Sequence, residues 1–263
     1  MTMRQTIRFL ATAFALVASV LADGVSAAEL KVLSAGAMRA ALQELAPAFE
    51  AASGHKLKLE FATAGVVEQK VAADEEIDVA ILSKPRLDKL VNGAKIVGGT
   101  TKTLAHAEIG LAVKKGAPKP DISSVQAFKK ALLNSKSVAY ADPASGATSG
   151  SYLAQAFERL GIAAELKEKT RLVPGSPTQG PRVGDAVARG EAEIGLQPIS
   201  ELIEVEGIDV VGPLPGELQS PDLVYVGGAP YASEQPIAAK ALIDFLAEPE
   251  AAAVYKAKGL RPG

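Results

Sequence analysis

The chain of 263 residues contains no cysteine and no tryptophan, and aromatic residues make up only 5% of it. Without cysteine the chain can form no disulfide, no thiolate nucleophile and no lipid-modified cysteine anchor. The sequence also lacks G-x-S-x-G, H-E-x-x-H and the Walker glycine loop. The common hydrolase and nucleotide-binding chemistries therefore lack their required parts.

The charge pattern gives no sign of a macromolecular partner. The formal net charge is -2, and lysine and arginine are scattered among the acidic residues. This pattern predicts a solvated mixed surface and no nucleic-acid partner. His55 and His106 lie far apart without a carboxylate or histidine at ligand spacing, so we expect surface or capping roles, no metal site and no cofactor.

One apolar run stands out, at the N-terminus. Arg4 and Arg8 precede an apolar stretch over residues 9–22, and Val25-Ser26-Ala27 follows it. A basic segment, a short apolar segment and small residues at a cleavage position are typical of a secretory signal peptide. We therefore predict a signal peptide at residues 1–27 and a mature protein in the periplasm of a Gram-negative cell.

The rest of the chain alternates short apolar runs with amphipathic segments, which indicates an α/β fold with parallel sheets covered on both faces. The predicted strands are 30–34, 57–62, 77–82, 108–114, 137–140, 192–196, 208–211 and 222–229. The predicted helices are 38–52, 66–73, 85–92, 125–134, 149–160, 180–189, 236–247 and 249–258.

Two lobes are expected within the mature chain. The Gly- and Pro-rich segment 116–120 indicates a change of course into a second lobe, and strand 222–229 is long enough to carry the chain back. The predicted division is residues 28–115 and 227–263 for lobe 1 and residues 116–226 for lobe 2.

The most informative stretch is VAYADPASGATSGSY, residues 138–152. It reads as a buried strand, a stop at Asp142-Pro143, a run of small residues and a helix start. Unpaired N–H groups and the helix dipole attract an anion at such a place. The alternative is an ordinary N-cap, in which Thr148 or Ser149 caps the helix and the glycines only form the turn.

Similar small-residue loops follow the first three strands. They are 35–37, 63–65 and 83–85, and ligands in open α/β sheets bind where strands end and helices begin. Close helix–strand packing would explain any one of these loops as well. The residues predicted to bind ligand are Gly36, Ala37, Met38, Ala64, Gly65, Lys84, Ser145, Gly146, Thr148, Ser149, Arg182 and Gln197.

Lys84, Arg182 and Gln197 carry the longer polar side chains of this set, which could complement an anion. Lys84 and Arg182 could pair with it, although a solvated lysine and a surface arginine are equally simple interpretations. Gln197 could orient a ligand or satisfy a neighbouring loop. Arg39 lies one turn beyond its loop and is expected at the surface.

The order of these parts resembles a known family. The signal peptide, the Ala-Gly-Ala-Met turn, the F-A-T-A-G loop and I-D-V-A-I-L-S resemble the periplasmic molybdate-binding (ModA-like) type II solute-binding proteins. The resemblance implies two α/β lobes, joined by two crossover strands, around a ligand cleft. The segment from Ala186, AVARGEAEIGLQPISEL, is more similar to the offshoot that includes aconitate isomerase.

The chain departs from the molybdate-binding pattern at several positions. It has Ala37 and Ala64-Gly65 where that family offers serine hydroxyls, and Gln197-Pro198 near an expected tyrosine. A bare dianion needs nearly every oxygen hydrogen-bonded. The departures therefore weigh against molybdate and tungstate, and the similarity to the aconitate isomerase offshoot implies a carboxylate ligand instead of a metal oxyanion.

Three functional interpretations remain open at this level. In the first, a monomeric solute-binding protein captures a small anion for an ABC permease in the inner membrane. In the second, an aconitate isomerase-like enzyme moves a proton with one of the available groups, Lys84, Asp142 or Glu201. In the third, the same cleft belongs to a sensor partner that reports to a receptor.

Overall fold

The structure is a computed structural model, and it describes residues 27–175 and 182–263. The predicted signal peptide, apart from Ala27, lies outside these residues, as does the predicted start of helix 180–189. Within the described part of the chain no helix is long and apolar enough to cross a membrane.

The described residues form a mixed α/β structure with two sheets. The strands are β1 (Glu29–Ala35), β2 (Lys56–Ala62), β3 (Val79–Ser83), β4 (Lys102–Ala107), β5 (Ile109–Lys114), β6 (Val138–Ala141), β7 (Thr170–Val173), β8 (Ile194–Pro198), β9 (Ile208–Pro213), β10 (Val224–Gly228) and β11 (Leu260–Pro262). The α-helices are α1 (Arg39–Ser53), α2 (Ala64–Ala72), α3 (Lys84–Asn92), α4 (Val125–Asn134), α5 (Thr148–Arg159), α6 (Ala163–Lys167), α7 (Val183–Ala188), α8 (Ile199–Leu202), α9 (Pro236–Leu246) and α10 (Pro249–Ala257).

Each lobe is built on one sheet. The first has the order β11-β4-β10-β3-β1-β2 and the second β7-β6-β8-β5-β9. The central strand β3 is buried at all five positions, as its continuous apolar sequence predicts for a strand covered on both faces. The α/β architecture with two lobes is confirmed.

The sheets are mixed, whereas the alternating pattern had suggested parallel strands. β10 pairs antiparallel with β3 and β4, and β5 pairs antiparallel with β8 and β9. Both are the first strands that the chain forms after it passes from one sheet to the other. A strand that enters a lobe from the cleft runs away from the cleft. The strands that end at the cleft run towards it, so the two kinds pair antiparallel.

The crossings occur earlier than the sequence predicted. β5 belongs to the second sheet and the whole of β10 to the first. The chain therefore changes sheets at residues 107–109 and 213–224, not at 115/116 and 226/227. The Pro- and Gly-rich segment 116–120 is a loop that follows the crossover strand and does not mark the crossing itself.

Sequence patterns missed the short or exposed elements. β7 has no fully buried residue and β11 has three residues. β4 carries lysine, threonine and histidine among its apolar positions. These strands form because a neighbouring strand offers backbone partners, and a local apolar pattern does not report that.

Helix α1 shows how the apolar pattern places a helix against a sheet. Its buried residues include Ala41, Leu42, Leu45 and Phe49, at spacings of three and four. This spacing puts them on one face, which packs in the main core. Gly54 ends the helix in the left-handed conformation, where glycine has no steric cost. The packing of this apolar face positions α1 so that its first residues lie next to the cleft.

Gln219 connects the two crossover segments through its side-chain amide. Its Oε1 accepts a hydrogen bond from the Ile109 backbone N–H at 2.8 Å, and its Nε2 donates to the carbonyl oxygens of Ile109 and Leu214, both at 3.0 Å. Ile109 is fully buried. Backbone groups that leave one sheet for the other are thus satisfied by a side chain.

We expect Gln219→Ala to lower the free energy of unfolding by about 2–3 kcal/mol, because it leaves buried backbone groups without partners. Gln219→Glu should also destabilise, since a carboxylate cannot donate to two carbonyl oxygens. Urea denaturation would measure both. Gln155→Ala, at an exposed position of α5, is the matched control, and equal losses in all three variants would contradict the role of Gln219.

Candidate functional site

The cleft lies where helix starts from both lobes meet. A cavity of about 20 Å³ there is lined by residues that include Gly36, Ala37, Thr63, Ala64, Ser149 and Tyr225, with the carboxyl of Glu201 at its side. Such a volume holds about one water molecule. An organic anion therefore requires the lobes to separate before it can enter.

Three helical segments begin at this cavity. They are the 3₁₀ turn Gly36–Met38, which leads into α1, and the N-termini of α2 and α5. Thr63 caps α2 through a 3.3 Å bond from the Val66 N–H, whereas Ala147 has no side chain that could cap α5. The first N–H groups of a helix attract negative charge, so the cavity favours an anion.

Glu201 is the acidic group of the site. It lies on α8 directly after β8, and its Oε2 accepts a 2.6 Å hydrogen bond from Nε2 of Gln197. Burial raises the pKa of Glu201 to about 7, although the Gln197 bond and the charge of Arg39 act in the opposite direction. The carboxyl is therefore close to half-protonated near neutral pH.

Tyr225 faces the same cavity from the other lobe. It lies on β10, its side chain is 3% exposed, and no described residue hydrogen-bonds to its hydroxyl. Burial and the nearby charge of Glu201 raise the pKa of Tyr225. The phenol therefore stays protonated near neutral pH and provides an uncharged hydroxyl that can donate a hydrogen bond at the cavity.

A second cavity of about 60 Å³ lies on the other side of Glu201 and shares Gly36 with the first. Arg39, Arg182, Gln197 and Ser200 are among its lining residues. The guanidinium of Arg39 lies 4.4 Å from the centre of the Phe61 ring. Arg39 was expected at the surface, and this stacking holds it at the cleft instead.

Direct contacts join the lobes beside the first cavity. The Thr63 hydroxyl donates to the carbonyl of Ser145 at 2.6 Å, and the Gly65 N–H donates to the carbonyl of Gly146 at 3.0 Å. A Cβ atom built on Gly65 would lie 2.8 Å from Cα of Gly146. Two glycines therefore allow the backbones to meet, and the lobes are closed.

The structure brings most of the predicted site residues to the cleft, in different roles. Gly36, Ala37, Ala64, Thr148 and Ser149 line the first cavity, whereas Arg182 and Gln197 line the second. Gly65, Ser145 and Gly146 form the contact between the lobes. Ligand binding by these residues remains a prediction.

Two predicted residues do not present side chains to either cavity. Met38 is fully buried in the core, so only its backbone belongs to the helix start. Lys84 is exposed and its Nζ pairs with Asp88 at 2.6 Å, one turn along the same helix. A lysine that follows a strand end can thus turn back along its own helix.

Sequence reasoning named Glu201 only as one of three groups that could move a proton, expected Arg39 at the surface and missed Tyr225. Glu201 sits in an exposed-looking helix start, Ile199–Leu202, and Tyr225 reads as an ordinary buried strand residue. Their importance comes from facing each other across the cleft. The polar Gln197 within an apolar strand was the one local signal that pointed there.

Two α/β lobes that close over an anion-attracting cavity define a type II periplasmic binding protein fold. Residues 30–261 match the family described as bacterial extracellular solute-binding protein. The chain belongs to this family.

Relatives of two kinds share most of its length. Aconitate isomerase from a Pseudomonas species is 39% identical over 239 residues, covering 89% of this chain and 87% of the relative. The molybdate-binding protein ModA of Escherichia coli K12 is 26% identical over 251 residues, covering 95% and 94%. The ModA-like resemblance and its aconitate isomerase offshoot are confirmed.

A solved structure shows the same fold. The periplasmic molybdate-binding protein of Azotobacter vinelandii superposes with a TM-score of 0.72 at 20% identity, covering 88% of this chain and 98% of that one. At this identity the similarity establishes the architecture alone.

We expect Gly65→Ala to hold the lobes apart, because its Cβ would press on backbone atoms of Gly146. The added cost of closure should be about 1–3 kcal/mol, whereas alanine suits the helical position within its own lobe. Small-angle X-ray scattering should show a larger radius of gyration than for wild type. Gly99→Ala, where a Cβ meets nothing within 4 Å, is the control, and an unchanged radius in Gly65→Ala would contradict the expectation.

We expect Glu201→Gln to stabilise the protein at alkaline pH. A carboxyl with a raised pKa in the folded state contributes stability below its unfolded pKa, and that stability is lost as pH rises through about 7. The variant should therefore gain about 1–2 kcal/mol at pH 8 and nothing at pH 4.5. Denaturation at both pH values tests this, with exposed Glu206→Gln as the control. A gain independent of pH would contradict the assignment.

Proposed function

We propose that this protein is an isomerase of the aconitate type, which binds an unsaturated polycarboxylate between its lobes and moves a proton within it. The observation that carries the proposal is the Glu201 carboxyl, which lies beside an anion-attracting cavity with its pKa raised to about 7. A general acid–base group works best when its pKa lies near the operating pH. The 39% identity to an aconitate isomerase supports it.

The reaction needs one proton carrier. Aconitate has a central carbon that bears a carboxylate, a methylene arm and a vinyl arm, each arm ending in a carboxylate. A base removes a proton from the methylene carbon, and the electron pair delocalises through the double bond. Return of the proton to the former vinyl carbon moves the double bond to the other arm, where it forms with cis or trans geometry. Protons balance without an oxidant or reductant.

Each part of the site has a corresponding task. Glu201 takes the proton as a carboxylate and returns it as the acid, which a pKa near neutrality permits in both directions. The helix starts at Gly36, Ala64 and Thr148 attract a substrate carboxylate. Tyr225 donates a hydrogen bond and stabilises the negative charge that develops on the delocalised intermediate.

Lobe closure would make the chemistry possible. Glu201 comes from the second lobe and Tyr225 from the first, so the two groups face one substrate only when the lobes meet. Closure also removes water, which strengthens each electrostatic interaction. The scaffold of a binding protein thus supplies what an enzyme of this type needs.

A second candidate is capture of a small anion for an ABC transporter, the role of a solute-binding protein. The helix starts in the cavity and the molybdate-binding relatives favour it. In that case the protein works in the periplasm as a monomer, after removal of its signal peptide, and docks on an inner-membrane permease. An ionised Glu201 repels any anionic cargo at that site, and the similarity to an aconitate isomerase favours a carboxylate as the cargo.

Incubation of the purified protein with trans-aconitate distinguishes the two candidates. We expect cis-aconitate to accumulate far beyond one equivalent per protein, and kcat/KM to rise with pH through about 7 as Glu201 ionises. Glu201→Gln should reduce kcat at least ~100-fold, whereas Glu206→Gln should not. Binding of aconitate by calorimetry without any product would reject the isomerase and support the transport candidate.

A further inference from the structure

The second cavity, which lies beyond Glu201, is built by both lobes. Arg39 comes from α1 in the first lobe, and Arg182, Ser200 and Glu201 come from the second. Its volume of about 60 Å³ accommodates a carboxylate group with a water molecule. Glu201 lines both this cavity and the first one, so its carboxyl lies between two separate sites.

Positive charge from the two lobes converges here. Burial lowers the pKa of Arg39, the charge of Glu201 raises it and the charge of Arg182 lowers it, so both groups are close enough to act on this guanidinium. Arg182 is anchored at the rim by Asp185, and Arg39 by the ring of Phe61. Two anchored guanidiniums with fixed donor geometry match a carboxylate.

The acidic groups near this cavity offset part of that charge, since Asp185 pairs with Arg182 and the carboxyl of Glu201 acts on Arg39. Glu201 has its pKa raised to about 7 and hydrogen-bonds to Gln197. Glu204 also lines the cavity but lies at an exposed position, and its charge acts on Lys258. When Glu201 is protonated it does not offset the charge of Arg39, and the cavity then favours an anion.

Ser200 supplies an independent observation. Its side chain is 3% exposed, it lines the cavity, and its hydroxyl has no hydrogen-bond partner among the described residues. A buried hydroxyl without a partner is costly and rare in folded proteins. A ligand oxygen in this cavity would give that hydroxyl its acceptor.

We propose that the cavity of Arg39, Arg182 and Ser200 is a second carboxylate subsite, which makes the cleft selective for polycarboxylates. The proposal rests on the proposed function, and it specifies the substrate class. One carboxylate binds at the helix starts and another at the arginines. The carbon chain between the two carboxylates then passes Glu201, and the carbon that exchanges its hydrogen lies beside this carboxyl.

The two-subsite arrangement accounts for the selectivity that this chemistry needs. An inorganic oxyanion has a single centre and can occupy only one of the two sites. A monocarboxylate likewise leaves either the helix starts or the arginines without their anion. Only a ligand with carboxylates on both sides of the reacting carbon uses both.

The test compares four ligands by isothermal titration calorimetry. They are trans-aconitate and three dicarboxylates that each lack a different one of its carboxylates, namely 2-pentenedioate, methylfumarate and methylenesuccinate. We expect Arg39→Gln to weaken aconitate binding roughly 10- to 100-fold. It should weaken two of the dicarboxylates similarly and leave the third, which lacks the carboxylate of this subsite, within about two-fold of wild type.

Matched variants separate the subsite from general effects. Arg182 is exposed, so Arg182→Gln should leave the protein folded. We expect it to show the ligand pattern of Arg39→Gln, with weaker effects. Ser200→Ala should weaken aconitate a few-fold without lowering the melting temperature. Arg159→Gln removes an arginine that also stacks on a ring, that of Tyr152, outside both cavities, and should change nothing.

Equal weakening of all four ligands by Arg39→Gln, or no weakening of any, would overturn the subsite. Binding does not depend on turnover, so the two proposals fail separately. A protein without isomerase activity that shows the expected ligand pattern keeps the subsite and loses the proposed reaction. An active isomerase whose Arg39→Gln variant binds aconitate normally keeps the reaction and loses the subsite.

Discussion

The closed arrangement of the site depends on the contact between two glycine backbones. Gly65 starts a helix in one lobe and Gly146 ends a 3₁₀ turn in the other, and the N–H of the first donates to the carbonyl of the second. No side chain separates them, so Glu201 and Tyr225 line one cavity from opposite sides. A bulkier residue at this point would separate the lobes and increase the distance between Glu201 and Tyr225.

An acid at the centre of an anion site is the second constraint on this molecule. Helix starts and two arginines surround the cleft with positive potential, yet Glu201 lies among them and is partly desolvated. Such a carboxyl repels an anionic ligand when it is ionised. In the isomerase proposed above it would have a use, because substrate charge is held on either side while the carboxyl exchanges its proton.

The elements that could be predicted are those whose signal is local. The sequences of strand β3 and helix α4 show both the spacing of apolar residues and the residues that end the element. The predicted ranges 77–82 and 125–134 therefore agree closely with the observed ones. β7 and β11 depend on partner strands and left no such signal. The lobe crossings were misplaced because a Gly- and Pro-rich loop marks a turn, whereas sheet membership is decided by pairing across long sequence separations.

By itself, the sequence determined the α/β class, the small-residue loops at strand ends and the absence of thiol chemistry, since each depends on neighbouring residues or on composition. Only the tertiary structure decided which groups face a ligand. It turned Lys84 away to Asp88, held Arg39 over Phe61 and placed Glu201 between two cavities. The physical reason is that burial, charge and distance set these roles. Glu201 and Arg39 act on each other from positions more than a hundred residues apart, which no local pattern reports.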